Sequence, residues 1–310
     1  MMSQVPAVLP VSVIVMTRNE AANIERCLHA CAGMAEIFVV DSGSTDHTIS
    51  MAEACGAHVV PFVWDGQYPK KKQWCLDNLP ITQPWILFLD ADEYPTPALL
   101  EELARVCRAV SVNDRAAVDD PVGYYIRAHV SHDGRMMRYG RKHCKLALLR
   151  NGYGQFPVID DLDVPGGWEV EGHYQPIVNG TVGRLDEYLV HDDLKPPRAW
   201  RDRHENYAQW SAHMRLRRAL TGVEQTEPLI RRMIKALLYH LPGRPLFAFL
   251  DSYALCRGFL DGRTGFAYAM ARYRYYAAID KAYRFLIQQP DAGPSPAAAA
   301  TTMVKSDGAA

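Results

Sequence analysis

Asp90 and Asp92 stand one residue apart at the end of the apolar run Trp85-Ile86-Leu87-Phe88-Leu89. Two carboxylates so placed suit a hard divalent cation, which takes oxygen ligands and often bridges substrate phosphates. The run before them reads as a strand buried on both faces of a parallel sheet. In open α/β sheets, ligands bind beyond the carboxyl ends of the strands, so the pair is expected at the mouth of a site. Taken alone, the pattern also fits a strand followed by an acidic turn, because Asp is common in turns. The elements upstream favour the first reading.

Val11 to Thr17 is the first of these elements, an apolar strand followed by Arg18-Asn19-Glu20. The next helix carries Ile24, Leu28 and Cys31 on one face, with Asn19 expected as its N-cap and Gly33 as its C-cap. Glu36 to Asp41 is a second strand that ends in a carboxylate, and Ser42 to Asp46 makes the turn into a helix. Residues 57–63 form a third strand, and a helix from about Lys70 to Leu79 leads to the Asp90 strand. Thr96 and Pro97 take cap and first-turn positions of another helix. Strands and helices alternating with short links predict a doubly wound α/β sheet. No G-x-G-x-x-G follows the first strand, so the dinucleotide fingerprint is absent.

The pattern changes after Asn113. Gly123 to Val130 and Lys145 to Arg150 read as strands, and residues 153–173 as a long loop rich in Gly, Pro, Asp and aromatics. Asn179-Gly180 predicts a hairpin across residues 176–189. From Pro197 the chain becomes helical and basic. Leu229, Ile230, Met233, Ile234, Leu237, Leu238 and Leu241 fall on one face of a helix, and Arg231, Arg232 and Lys235 on another. After Gln289 the Pro/Ala/Ser-rich sequence is expected to be disordered.

The 310 residues are 48% hydrophobic and 22% charged, which is ordinary globular composition. The charge is uneven: Lys195 to Arg284 holds 17 Lys/Arg against 7 Asp/Glu, and the remainder 17 against 28. An acidic half joined to a basic half suggests an anionic partner for the latter, a membrane surface or nucleic acid, with a helical subdomain packed on the sheet and presenting a solvated basic face as the third reading. No known motif supports nucleic acid. Seven Cys without C-x-x-C pairing indicate reduced thiols, and there is neither a basic n-region nor an uncharged stretch of membrane-spanning length. A cytoplasmic protein is expected.

Three segments in order carry a family likeness: Val13-Ile14-Val15-Met16-Thr17-Arg18-Asn19-Glu20, Val39-Val40-Asp41-Ser42-Gly43-Ser44-Thr45-Asp46 and Leu87-Phe88-Leu89-Asp90-Ala91-Asp92-Glu93. Over residues 11–110 the chain resembles the family 2 glycosyltransferases of GT-A fold. Val178-Asn179-Gly180, His191, Arg203 to Tyr207 and Gly258 to Gly262 resemble the branch that includes lipopolysaccharide-core β-glucosyltransferases, whose acceptors lie in membranes. The resemblance implies that Thr17, Glu20 and Asp41 hold the nucleotide base. It implies that Asp90 and Asp92 meet the ribose and a Mg²⁺ or Mn²⁺ on the diphosphate, and that Lys71 or Lys72 lies near the nucleotide. It also implies a GT-A domain over 1–195 (donor half 11–110, acceptor half 111–195), a basic, membrane-associating helical region over 196–288 and a tail over 289–310.

An inverting transfer needs a general base for the acceptor hydroxyl. The lipopolysaccharide branch is expected to have Val-His-Glu ahead of Val178-Asn179-Gly180, with the Glu as base. Here His173 and Tyr174 fall at the last two positions, and Tyr, with pKa about 10, is a poor base. Glu171 is the first candidate in its place and Asp161 the second. The expected function is inverting transfer of a hexose from a UDP-linked sugar to a lipid-linked glycan of lipopolysaccharide or exopolysaccharide biosynthesis, peripherally on the inner membrane. A nucleotide-sugar-binding module without transfer activity is the alternative, favoured by the missing Glu. A nucleotidyltransferase would need a Gly-rich, basic loop after the first strand, which Thr17-Arg18-Asn19-Glu20 is not. Deleting residues 289–310 should leave transfer unchanged in an assay of the truncated protein; a large loss would show that the tail takes part.

Overall fold

The computed structural model describes residues 8–107, 120–132, 134–164, 175–217 and 243–288. Glu171, His173, Tyr174, the amphipathic stretch 229–241 and the tail after 288 lie outside these described residues.

β1 (Leu9–Thr17) is the centre of the first half. It pairs in parallel with β2 (Met34–Asp41) on one side and β4 (Trp85–Asp90) on the other, and β2 pairs in parallel with β3 (His58–Pro61). Both faces of β1 are covered. Val11, Val13 and Val15 pack into one core with Leu87, Leu89, α1 (Ile24–Ala30) and α4 (Pro97–Cys107). Ile14, on the opposite face, packs into a second core with Phe38, Ile86, Phe88 and Cys75 of α3 (Lys71–Asn78). Burial on both sides explains why these strands read as continuous apolar runs. Between β2 and β3 lies α2 (Thr48–Ala54), with Ala52 in the first core.

The sheet continues through β8 (His143–Arg150), β6 (Pro121–His132) and β11 (Thr181–His191) to β5 (Glu93–Pro95). β8 is antiparallel to both β4 and β6, while β6 and β11 are parallel. β7 (Arg135–Met136) adds to β6. The result is a mostly parallel GT-A sheet with a helical C-terminal extension. That extension comprises α5 (Pro197–Arg217), α6 (Arg244–Leu250), a π-helical turn (Asp251–Leu255), a 3₁₀ turn (Gly258–Asp261) and α7 (Gly262–Ile287).

β5 matters most for the site. Only Ala91 and Asp92 separate it from β4, yet it pairs antiparallel with β11, placing His191 opposite Glu93. The carboxyl ends of β4 and β11 are therefore held side by side.

Two local expectations are corrected. Asn19 is not the N-cap of α1; that position is Asn23. Asn19 instead takes a left-handed conformation (φ 55°), and its Oδ1 accepts from the Thr45 amide at 2.8 Å, tying the β1 and β2 turns together. Asn179-Gly180 does not close a hairpin. The strands it joins, β10 (Ile177–Val178) and β11, pair with β9 (Gly154–Gln155) and β6 respectively. The turn residues suit a reversal, but partner choice was set by longer-range burial. Gly180 is needed for a different reason: it sits at φ +149°, and a Cβ there would lie 2.8 Å from Val122. Gly180→Ala should destabilise the protein by about 1–3 kcal/mol through this overlap, read as a lower melting temperature; an unchanged one would mean that Val122 yields freely.

Candidate active site

Register places three polar residues at adjacent strand ends. Thr17 lies opposite Asp41, and Met16 opposite Asp90. Thr17 Oγ1 donates to Asp41 Oδ2 at 2.9 Å, and the Ser44 amide donates to Asp41 Oδ1 at 2.7 Å. Asp41 is buried and fixed by these bonds, so the turn after β2 is shaped before any ligand arrives. Lys71 Nζ donates to the Thr17 carbonyl at 3.0 Å, which brings the start of α3 to the same corner.

Around Asp90 and Asp92 the site is a balance of buried charge. Lys145, on β8, bridges Asp90 at 3.1 Å and Glu93 more closely still. Burial pushes the Asp90 and Glu93 carboxyls up, but Lys145 outweighs it and holds both below the ordinary carboxylate range. Asp90 is half-exposed while Glu93 is buried, so Asp90 faces the opening and Glu93 anchors the lysine. Asp92 is different. Its carboxylate is buried, and burial raises its pKa, with His191 the main counterweight. Its Oδ1 accepts no hydrogen bond, and His191 Nδ1 stands 3.5 Å from it. Burial works against charge on His191, but Asp92 and then Glu93 outweigh it, and the imidazole is held at about 9.

The segment that follows β11 folds back over this site. The Asp192 amide donates to the Asp92 carbonyl at 2.9 Å. Asn23 donates to Glu20 at 2.8 Å and to Asp193 at 2.9 Å. Lys195 pairs with Glu20, and Arg203 of α5 pairs with Asp193 and lies 4.0 Å from Asp92. Glu20 is thus tied into a buried network; burial raises its pKa and Lys195 lowers it, with burial the larger effect.

Residues chosen from the sequence are partly gathered here. Thr17, Asp41, Asp90 and Asp92 share the strand-end face, with Glu20 and Lys71 at its border. Lys72 lies 5.7 Å over the Phe156 ring and within electrostatic reach of Asp90. Asp161 goes elsewhere. It is fully buried, with Oδ2 accepting from Lys70 Nζ at 2.7 Å and Trp210 Nε1 at 2.9 Å, and Oδ1 from the Tyr68 hydroxyl at 2.9 Å. A base must reach the acceptor proton, and this carboxylate is instead the anchor of α5 on the loop after β9. Lys145, Asp193 and Lys195 were not expected here from the sequence, and Glu93 and Arg203 stood there only as motif positions without a role. A lysine opening the otherwise apolar strand Lys145 to Leu149 was the available signal for the first.

The oxygen-rich donor set fits a hard cation, because Asp92 Oδ1 is a buried acceptor without a hydrogen bond. Among the described residues no three His, Cys, Asp or Glu side chains converge as a complete cage. A metal here would draw its other ligands from substrate phosphates and water, as Mg²⁺ commonly does.

A doubly wound sheet with a polar cluster at the ends of three neighbouring parallel strands and an acidic pair after an apolar strand is suited to a phosphate-bearing ligand and a divalent cation. Residues 12–156 match the family described as Glycosyl transferase family 2. The lipopolysaccharide core biosynthesis glycosyltransferase LpsC of Rhizobium meliloti is 32% identical over 201 residues, covering 60% of this chain and 68% of that protein. The uncharacterized glycosyltransferase RP128 of Rickettsia prowazekii is 32% identical over 284 residues, covering 85% and 84%. The chain belongs to the family 2 glycosyltransferases. Among solved structures, the mannosyltransferase PcManGT of Pyrobaculum calidifontis, in complex with GDP-Man and Mn²⁺, aligns with 96% of this chain and 80% of its own at 17% identity and a TM-score of 0.40.

Removing Asp161 strips the buried Lys70 of the carboxylate it pairs with, and breaking a buried ion pair typically costs about 3–5 kcal/mol. Asp161→Ala should therefore lower the melting temperature sharply, and adding Lys70→Met should restore part of it. A stable Asp161→Ala protein that has lost only turnover would return Asp161 to the catalytic candidates.

Proposed function

We propose that the protein is an inverting, metal-dependent hexosyltransferase. It takes a hexose from a UDP-linked sugar and transfers it to a lipid-linked glycan of lipopolysaccharide or exopolysaccharide biosynthesis, working peripherally on the inner membrane. The observation that carries the metal-dependent reading is Asp92: a buried carboxylate oxygen with no hydrogen bond, next to His191, at the end of the strand that also presents Asp90. Asp92 would hold a Mg²⁺ or Mn²⁺ with the donor diphosphate, and His191 would join it only by giving up the proton that Asp92 and Glu93 favour. The bound cation would supply charge compensation for the departing nucleoside diphosphate.

The protein's own groups do the rest. Thr17 and Asp41 form a prefixed corner for the nucleotide base, bordered by Glu20, and Asp90 meets the ribose. Lys71 and Lys72 bring positive charge to the start of α3, beside the strand ends where the donor would sit. The acceptor oxygen attacks the anomeric carbon as its bond to the diphosphate breaks, and the hydroxyl proton passes to a carboxylate. Glu171 is proposed as that base: it is the carboxylate nearest in sequence to the expected position, and the runner-up Asp161 is committed to Lys70. Similarity to LpsC supports the lipid-linked, lipopolysaccharide-type acceptor.

Asp92→Ala should cut transfer by roughly a hundredfold or more without unfolding the protein, and EDTA should abolish transfer until Mg²⁺ or Mn²⁺ is restored. Full activity in either condition would refute the metal site. Glu171→Gln should keep donor binding in a thermal-shift assay and lose transfer; donor binding without turnover in the native protein would instead identify a binding module.

A further inference from the structure

The strongest feature outside the site is the turn between α6 and α7. Leu255 is 70% exposed, Leu260 52% and Phe259 49%, and Leu246, Phe247, Leu250 and Phe266 are exposed beside them. Contacts between rings make this one surface: Tyr253 packs on Phe249, Phe259 and Phe266 with centroids 5.3–6.4 Å apart. An exposed apolar surface of this extent marks an interaction site.

The turn is built to stay in this form. Its underside packs backbone on backbone: a Cβ at Gly265 would lie 1.8 Å from the Gly258 carbonyl oxygen, and one at Gly258 would lie 2.6 Å from the Ser252 carbonyl oxygen. Leu255, Phe259 and Leu260 lie on the outer side of this close backbone packing and are exposed. Asp261 clamps the turn from the side, accepting from the Tyr139 amide at 2.8 Å and the Arg138 amide at 3.1 Å. The π-helical turn at Asp251–Leu255, a form often found at functional sites, aims Leu255 outward.

Charge identifies the occupant. Residues 243–288 carry seven Lys/Arg and three Asp/Glu. All three carboxylates are engaged: Asp251 by Arg141 and Arg272, Asp280 by Arg215 and Arg244, and Asp261 by the two amides. Arg257 and Arg263, both exposed, flank the apolar tip without an ion pair among the described residues. An apolar tip rimmed by arginine, whose one carboxylate, Asp261, is turned to the Arg138 and Tyr139 amides, matches an anionic bilayer, where leucine and phenylalanine enter the acyl boundary and arginine meets headgroup phosphate.

We infer that the Leu255–Arg263 turn, with the exposed face of α6, is the surface by which this protein seats on an anionic membrane. The inference rests on the membrane-peripheral reading above and names the surface responsible for it. Co-sedimentation with phosphatidylcholine vesicles, with and without phosphatidylglycerol, tests it on the full chain. The native protein should sediment with the anionic vesicles. Leu255→Glu/Leu260→Glu should weaken that binding at least about tenfold, and Arg257→Gln/Arg263→Gln should remove the preference for anionic over neutral vesicles. Both variants should keep the native melting temperature. Undiminished binding by both folded variants would overturn the surface while leaving the membrane reading standing; no binding by the native protein would overturn both. A native dimer that the Leu255→Glu/Leu260→Glu change converts to monomer would assign the face to a second copy and overturn the inference. Protection of Leu255 to Leu260 from hydrogen exchange without vesicles would do the same, assigning it to a segment of this chain.

Discussion

Buried like charge is the constraint on which the site depends. Asp90, Asp92 and Glu93 fall within four consecutive positions where β4 gives way to β5, and two of the three are buried. Left alone they would repel one another and protonate. The fold answers with cations from three other elements: Lys145 on β8, His191 at the end of β11 and Arg203 on α5. Each arrives by a different route. Lys145 comes through the antiparallel β4–β8 and β6–β8 pairing, His191 through the register of β11 on β5, and Arg203 through the segment returning over Asp193. β8, inserted antiparallel between β4 and β6, thus supplies positive charge to an acidic strand end, and β11 and α5 add to it.

This balance is incomplete at one atom. Lys145 fully engages Glu93 and reaches Asp90, but Asp92 Oδ1 keeps no hydrogen bond. An unsatisfied buried acceptor costs free energy in the empty protein, and a cation arriving with a phosphate would relieve that cost. The site is strained at the atom where a ligand would be held.

The donor half was legible from sequence because its physics is local. A parallel strand buried on both faces is a short apolar run, and its functional residues follow it directly, so Thr17, Asp41, Asp90 and Asp92 could be named from chain order. The compensating charges were not legible in this way. Lys145 is 55 residues from Asp90, and Lys195 is 175 residues from Glu20; nothing in their neighbourhoods specifies these partners. The three lysines at 70–72 make the same point. They read alike, yet the structure sends Lys70 to Asp161, Lys71 to the Thr17 carbonyl and Lys72 towards Phe156 and Asp90. Asn179-Gly180 failed as a hairpin because a turn signal specifies a change of direction, not the strand that will receive it.

The salt-bridged return of the chain after His191 has a consequence for modularity. Arg203 belongs to the helical extension, yet its guanidinium sits among Asp193, Glu20 and Asp92. The beginning of the chain, its middle and the first helix of the extension therefore complete one another. A hybrid enzyme spliced at the junction before α5 would inherit acidic residues from one parent and their counter-ions from the other. In this lineage the donor half and the extension would have to be exchanged together, or change in step.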